Sequence, residues 1–497
     1  MALTTVGAFQ YGYHIGELNS PQRVISTCAQ STTIDRLAPC IPMTPAQYSL
    51  VVAMLTAGGL IGSLSASRFA DTYGRRTTLL LNNVVLLVGS TMMAGSNTMW
   101  SFGLGRLLIG IGSGVITVVG PCYMNEIATE RMRGPLGVLN QCGIVTGILV
   151  AQVAGLFWST LAMWRWILVV GMVLAVAQCV GLVLSVESPR WLASRPGGFP
   201  DARAALQQLR GRTDVDLEIK NWRRWQNDVE EDVMEQGEDQ RLMVGEHVDE
   251  DMDDEAAIAS GSEPTDPLSH VPPPNAVRAA DASHKALDLI QFVRDQAYRR
   301  PLIILLTLHL AQQLSGINAI MFYSTTIMSE IVTANPALIT VYISIVNVLM
   351  TILSAGLIER AGRRGLFLFS SGGMAIVTTL LALGIHQDIP LLSAAAVLAF
   401  VACFAVGLGP VPFLIIAELV DTKAVSAASS LSLATNWSAN FLVSAGFLMV
   451  RDVVGGAAVF MIFACLSAAA FMIGHRILPE TKGRSVEEVI RSGWSLY

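Results

Sequence analysis

Charged residues are scarce in this chain. Only 14% of its 497 residues are Asp, Glu, Lys or Arg, while 52% are hydrophobic, and a soluble domain carries nearer 25% charge. Such a chain has too few polar side chains to cover its own surface, so we expect the lipid bilayer to be its solvent. The formal net charge is −6, which argues against binding to nucleic acid.

Cysteine is also sparse. The seven cysteines follow no metal-binding or redox spacing, so we expect neither a metal nor a cofactor. Five of them stand in apolar runs and are expected to be packed thiols, namely Cys122, Cys142, Cys179, Cys403 and Cys465. Cys28 and Cys40 share one predicted loop, where pairing is one alternative. The apolar segments contain no Ser–His–Asp arrangement, which argues against an enzyme, and His309 within them is expected to be structural.

Long apolar segments recur along the chain. A helix needs about 20 mostly apolar residues to cross a bilayer. Twelve segments qualify, near 3–25, 48–70, 78–97, 101–125, 137–159, 165–186, 301–325, 337–358, 366–386, 391–417, 426–450 and 455–477. The sequence therefore predicts an all-α membrane protein with twelve transmembrane helices in two pseudo-symmetric six-helix bundles. The predicted divisions are an N-terminal bundle (1–189), a cytoplasmic loop (190–297), a C-terminal bundle (298–478) and a short cytoplasmic tail (479–497).

Two short basic loops repeat between the halves. "RFADTYGRR" (Arg68–Arg76) follows the second span, and "IERAGRR" (Ile358–Arg364) follows the eighth. Short loops rich in Arg face the cytoplasm, so both chain termini are predicted to be cytoplasmic. Parallel repeats of this kind are typical of one large class of transporters, whose substrate site lies between the halves near the midplane of the membrane.

The polar stretch between the halves is acidic. From Asp228 to Glu255 it contains fourteen acidic residues and one arginine, and it has few residues that build a core. We therefore predict a disordered insert with short helices on either side. Within it, "EDQRLM" (Glu238–Met243) resembles an acidic dileucine-type sorting signal. This signal favours a vacuolar membrane, with the plasma membrane as the alternative.

The seventh span contains amide side chains at an apolar depth. Gln312, Gln313 and Asn318 stand within "QQLSGINAIMFY", and polar groups in a membrane span are expected to face a cavity or the bundle interior. Ser315–Gly316 between them permits a break in the helix, as in the discontinuous helices of transporters. Amides both donate and accept hydrogen bonds, which suits the hydroxyls of a sugar. Interhelical hydrogen bonding between the amides is the alternative.

Taken in order, these motifs resemble the sugar porter family of the major facilitator superfamily, close to facilitative glucose transporters and to fungal vacuolar-type hexose transporters. The resemblance is carried by "ADTYGRR", "ERAGRR", "ESPRW", "NQCGIVTGILVAQ", "QQLSGINAIMFYS", "NWSANF" and "PETKGRS". It covers everything except the acidic insert. It implies alternating-access transport of a hexose by a monomer, as a uniporter or coupled to protons. The alternatives are a membrane sugar sensor without transport and a carrier of another polyol or small organic solute.

The resemblance also implies roles for individual residues. The implied sugar-binding residues are Gln141, Gln312, Gln313, Asn318, Asn347, Phe413, Asn436 and Trp437. The implied gating ion pairs involve Arg75, Arg76, Glu126, Arg133, Glu187, Arg190, Glu359, Arg363, Arg364, Glu418 and Glu480. Three departures stand out: Ala405 replaces the acid of the animal "FEVGPGP" motif, Phe413 replaces a tryptophan, and Val425 falls near a missing arginine. The first two put glucose specificity in doubt, but not hexose binding.

His14 and Glu17 lie three residues apart in the first span, on one face of the predicted helix. Proton-coupled sugar porters have an aspartate at the His14 position, and passive glucose transporters have an asparagine. Arg106 stands where these symporters place the partner of that aspartate. An unpaired charge at this depth costs about 2.5–3.5 kcal/mol, so we expect a Glu17–Arg106 pair with His14 beside it. Either His14 carries a coupled proton, or it stays neutral in the place of the asparagine.

The first prediction concerns His14. Replacing it with asparagine is expected to flatten the pH dependence of transport between about pH 5 and 7.5, the range in which a histidine changes charge. Initial rates of sugar uptake at a series of pH values would measure this. A variant that keeps the pH profile of the parent protein would contradict it.

Overall fold

The computed structural model describes residues 2–27, 37–129, 133–195, 197–216, 218–219, 289–331, 335–421, 424–484 and 486–494. The acidic insert, the "EDQRLM" segment and Cys28 lie outside these residues. Cys40 is disulfide-bonded, and the five cysteines of the apolar runs carry free thiols.

Helices account for nearly all of the regular structure in the described ranges. The first half contains α1 (Ala2–Gly16), α2 (Gln22–Ser26), α3 (Pro45–Tyr73), α4 (Arg75–Ala94), α5 (Met99–Ile127), α6 (Arg133–Trp158), α7 (Trp164–Val183), α8 (Pro189–Ala193) and α9 (Phe199–Arg210). The second half contains α10 (Leu289–Arg294), α11 (Arg299–Leu314), α12 (Ile317–Ile331), α13 (Pro336–Ala361), α14 (Arg363–His386), α15 (Pro390–Val406), α16 (Val411–Leu414), α17 (Ile416–Leu419), α18 (Val425–Val454), α19 (Gly456–Ile477) and α20 (Val486–Arg491).

Eleven helical segments in the described part are long and apolar enough to cross a bilayer, and they correspond to the second to twelfth predicted spans. The first span was expected to be one helix over 3–25. Instead, a turn over 17–21 separates the 15-residue α1 from α2. Pro21 accounts for this break, because the residue before a proline is disfavoured in the helical conformation.

Two spans of the second half are also interrupted. The seventh span breaks at Ser315–Gly316 as expected, and Gly316 has a positive φ of 90°. The tenth span was expected to be continuous over 391–417, but it breaks at 407–410 and continues as α16 and α17. The sequence there, "GLGP" (Gly407–Pro410), combines two glycines with a proline that cannot donate a backbone hydrogen bond.

The close packing of α3 on α5 depends on glycines. A Cβ atom added to Gly58 would lie 2.2 Å from the carbonyl oxygen of Leu107, and one added to Gly110 would lie 2.2 Å from that of Leu55. Small residues that let two backbones approach are typical of membrane helices, where van der Waals packing drives association between helices.

The two halves meet along α3 and α18, along α6 and α13, and where α1 approaches α12. Asn19, in the turn after α1, donates from Nδ2 to the carbonyl of Met321 (2.9 Å) and accepts at Oδ1 from the backbone N–H of Thr325 (3.1 Å). Beside it, the hydroxyl of Thr326 donates to Oε1 of Gln22 (2.7 Å). The loop from this segment leads to the start of α3, whose other end reaches the first basic loop. These bonds therefore close the bundle at the end opposite the basic loops. We call the end that carries the basic loops the Arg-loop end.

The second prediction tests the glycine packing. Gly58→Ala is expected to destabilise the folded protein by about 1–3 kcal/mol, because the added methyl group would force α3 and α5 apart. Thermal unfolding of the purified protein in detergent would measure the loss. Gly356→Ala is the matched control, because a Cβ atom at this glycine of α13 meets nothing within 4 Å. Equal melting temperatures for the two variants would contradict the prediction.

Candidate functional site

A cavity of about 420 Å³ lies between the two halves. Its volume is within the range of small-molecule sites. All eight residues that the sequence marked as sugar contacts line it, namely Gln141, Gln312, Gln313, Asn318, Asn347, Phe413, Asn436 and Trp437. The wall also includes Asn125 and Ile358, which directly precede charged residues at the Arg-loop end. The cavity thus extends toward that end, while the contacts of Asn19 close the other.

The broken tenth span supplies hydrogen-bond acceptors to the cavity wall. Because the chain is not helical at 407–410, the carbonyls of Leu408 and Gly409 are available, and Nε2 of Gln312 donates to both (2.8 and 2.9 Å). On its other side, Oε1 of Gln312 accepts from Nδ2 of Asn436 (2.6 Å). Two backbone carbonyls therefore fix the orientation of the Gln312 amide.

The remaining amides continue this network. Nε2 of Gln313 donates to Oδ1 of Asn436 (2.9 Å), and Nδ2 of Asn318 donates to Oε1 of Gln313. Nδ2 of Asn436 also lies 3.2 Å from Nδ1 of His309. The sequence left open whether these amides face a ligand or bond to one another; in this conformation they line the cavity and also bond to one another. Only the spacing of His309 to Gln312, one helical turn, could have indicated that His309 belongs to the network.

Aromatic rings form part of the cavity wall. Trp437 is buried, and the ring of Tyr11 meets it edge-on at 5.8 Å between ring centres. Phe413, at the position of the missing tryptophan, lines the cavity, as does Ala405 at the position of the missing acid. Tyr11 was not among the expected site residues, although it stands three residues before His14. The indole Nε1 of Trp437 has no hydrogen-bond partner in the described structure.

The expected charged group of the first half is present between α1 and α5. Nη1 of Arg106 donates to Oε1 of Glu17 at 2.7 Å, and Nδ1 of His14 lies 3.0 Å from Oε2 of the same carboxylate. These side chains are at most 1% exposed. A carboxylate only accepts, so Nδ1 of His14 carries a proton, and Nε2 is without a partner among the described residues. Removing one member of such a buried pair typically costs about 3–5 kcal/mol.

Ion pairs join neighbouring helices at the Arg-loop end in both halves. In the first half, Nη2 of Arg75 lies 3.0 Å from Oε1 of Glu126 and links α4 to α5. In the second half, Nη2 of Arg363 lies 2.7 Å from Oε1 of Glu418 and links α14 to α17. Each of these pairs lies within one half. The side chains of Arg133 and Glu359 lie outside the described residues.

Glu187 makes a different contact from the expected arginine–carboxylate pair. Its Oε1 accepts from the backbone N–H of Arg76 (2.9 Å), so the carboxylate caps the first turn of α4. The guanidinium of Arg76 instead donates to the carbonyls of Leu182 and Val183, both at 2.7 Å. Gly74 makes this possible: it has a φ of 92°, and a Cβ atom there would lie 2.5 Å from Oε2 of Glu187.

The second half repeats this arrangement. Glu480 accepts from the backbone N–H groups of Arg363 (3.0 Å) and Arg364 (3.2 Å) at the start of α14. Nη2 of Arg364 donates to the carbonyl of His475 (2.9 Å). Gly362 has a φ of 78°, and a Cβ atom there would lie 2.4 Å from the same carboxylate. In both halves, the repeated glycine leaves room for the carboxylate that caps the next helix. The sequence, in which the glycine stands beside two arginines, does not reveal this role.

Comparison with known proteins gives consistent matches over nearly the whole chain. The family model described as "Sugar (and other) transporter" matches residues 1–244 and 269–492. Solute carrier family 2, facilitated glucose transporter member 1, of Gallus gallus is 34% identical over 97% of this chain and 90% of its own length. A probable metabolite transport protein of Saccharomyces cerevisiae is 32% identical over 98% of this chain and 93% of its own.

Solved structures of the xylose transporter XylE from E. coli share the fold. The inward open conformation superposes with a TM-score of 0.72 at 20% identity, covering 99% of each chain. The proton:xylose symporter XylE bound to 6-bromo-6-deoxy-D-glucose superposes with a TM-score of 0.70 at 20% identity, covering 99% of this chain and 98% of that one.

Proposed function

Since the chain belongs to the sugar porter family of the major facilitator superfamily, a family of transporters and not of enzymes, we propose that it moves a hexose across a membrane by alternating access. The all-α fold of twelve membrane helices that the sequence predicted is confirmed by the eleven long spans, by α1 and by the shared fold of the XylE structures. The protein is thus an integral multi-pass membrane protein.

One observation carries the proposal of a hexose. The eight residues that the sequence marked are spread over five helices and the broken tenth span, yet all of them line one cavity between the halves. Neutral amides and aromatic rings offer donors, acceptors and apolar faces without a net charge. This chemistry suits a neutral polyhydroxylated ring. The self-paired amides also favour weak binding, because a sugar hydroxyl must replace bonds that are already made.

We propose that the structure represents the state open toward the Arg-loop end and that this end is cytoplasmic. The hydrogen bonds of Asn19 and Gln22 to α12 would then close the opposite entrance. The halves 1–189 and 298–478 would rock against each other about the cavity, and the charged groups at the Arg-loop end would regroup when that end closes. Both termini would be cytoplasmic, the monomer would be the functional unit, and the membrane would be vacuolar or the plasma membrane.

Whether the protein is a uniporter or couples sugar movement to protons depends in this proposal on the protonation of His14. Its unpartnered Nε2 is a position at which a proton could be taken up beside the Glu17–Arg106 pair. If His14 takes up a proton on one side of the membrane and releases it on the other in each cycle, sugar movement is coupled to a proton. If it stays neutral, its hydrogen bond to Glu17 is structural and the protein is a uniporter.

The third prediction tests transport directly. Purified protein in liposomes is expected to equilibrate radiolabelled glucose or another hexose. An imposed pH gradient separates the two mechanisms, because uphill accumulation that disappears with the gradient requires coupling. Equilibration at a rate indifferent to the gradient indicates a uniporter. No uptake of any hexose would contradict the proposal and favour a sensor or a carrier of another solute.

The fourth prediction separates the cavity from the Arg-loop end. Gln312→Ala is expected to raise KM about tenfold at an unchanged amount of protein, because it leaves Asn436 and two carbonyls without a partner. Arg76→Ala is expected to lower kcat about two- to fivefold with KM unchanged, because partly exposed polar contacts contribute about 0–1 kcal/mol. Uptake kinetics at matched protein levels would measure both. The reverse pattern would overturn the division between binding site and gate.

A further inference from the structure

His309 lies on α11, one turn before Gln312, and the proposed function leaves it without a role. Its side chain is fully buried. Nδ1 lies 3.2 Å from Nδ2 of Asn436, and the ring meets that of Phe413 edge-on at 5.2 Å between centres. A titratable ring at membrane depth that contacts two cavity-lining residues is a candidate for function.

Two backbone carbonyls at one end of the amide network determine which groups donate and which accept in each of its hydrogen bonds. The carbonyls of Leu408 and Gly409 can only accept, so Gln312 has to present Nε2 to them. Its Oε1 is then the atom that faces Asn436, and Asn436 has to present Nδ2 to Gln312. The orientation of the Asn436 amide is therefore set by its neighbours.

The second N–H group of Asn436 points at His309. An amide nitrogen donates and does not accept, so Nδ1 of His309 has to be the acceptor, and the ring is neutral with its proton on Nε2. With Nδ2 of Asn436 held by two acceptors, its Oδ1 is left for Nε2 of Gln313. Oε1 of Gln313 in turn receives Nδ2 of Asn318. His309 thus accepts one of the two N–H groups of Asn436. These two N–H groups determine which atoms of the network donate and which accept.

We propose that His309 is a positioning residue: it fixes the amide of Asn436 and, through it, the pattern of donors and acceptors that Gln313 and Asn318 present to the sugar. This inference rests on the proposed function, because the pattern matters for transport only if the cavity binds a sugar. It differs from a packing role, since it requires an acceptor at Nδ1 and not merely a ring of this size.

Protonation of His309 would break the pattern. A charged imidazole donates from both nitrogens, so Nδ1–H would point at the N–H group of Asn436. Sugar binding is therefore expected to weaken as the pH falls. Among the described residues, the ring contacts Asn436 on α18, Phe413 on α16 and the backbone of Pro412. None of these is charged.

The fifth prediction compares two substitutions of His309. His309→Leu removes the acceptor and is expected to raise KM about tenfold, because a buried N–H group loses its partner. His309→Gln can present Oε1 to Asn436 and is expected to keep KM near that of the parent. Hexose uptake into liposomes, with equal pH on both sides and matched amounts of protein, measures both.

The pH dependence supplies a readout that a packing role would not change. In a His14→Asn background, which removes the other buried histidine of the described residues, KM is expected to rise as the pH is lowered below the range of the first prediction, because burial disfavours the charged form of the ring. With His309→Gln added, KM is expected to be independent of pH. His386→Leu is the matched control, since it removes an exposed histidine at the end of α14 and is expected to change neither value.

The outcomes separate this inference from the proposed function. A His309→Leu protein with the KM and pH profile of its parent overturns the inference alone. Equal loss in the leucine and glutamine variants does so too, since it indicates packing. A parent protein that takes up no hexose overturns the proposed function, and this inference with it.

Discussion

The arrangement of the whole molecule depends on pairing polar groups at a depth where water is scarce. Gln312 donates to two carbonyls that the broken tenth span leaves free. Gln313 in turn donates to Asn436, and Asn318 donates to Gln313. In the first half, Arg106 is neutralised by Glu17. A polar group left unpaired at these positions costs about 2–7 kcal/mol. The breaks in the helices and the polar residues therefore have to occur together.

The same constraint explains the internal repeat. At the Arg-loop end, α4 and α14 each begin at a glycine with positive φ, and a carboxylate from a distant segment bonds their first N–H groups. In each half an arginine beside this cap donates to backbone carbonyls of another helix. The repeat thus encodes the same contacts between helix ends in each half. The ion pairs of Arg75 and Arg363 with carboxylates add to these contacts.

Much of the fold and the site was accessible from the sequence because its signals are local. Apolar length located eleven spans, and the resemblance gathered eight residues that prove to share one cavity. The break after Val406 was missed because its turn, "GLGP", is not polar, and the break after Gly16 was missed because hydropathy averages the polar residues of 17–21 with their apolar neighbours. His309 was assigned a structural role because its partner, Asn436, is 127 positions away. The caps at Glu187 and Glu480 were missed because their partners are distant in the sequence and because an acid near an arginine first suggests an ion pair.

The amide network has a consequence for what the cavity can accept. Because its donors and acceptors are already matched to one another, an incoming molecule takes part in an exchange and has to return as many hydrogen bonds of each kind as it interrupts. A hydroxyl does so, since it donates and accepts through one atom. An ammonium group offers only donors and a carboxylate only acceptors, so either would leave a surplus of one kind in a cavity of low polarity. A network of matched donors and acceptors thus favours neutral, hydroxylated molecules before any question of shape.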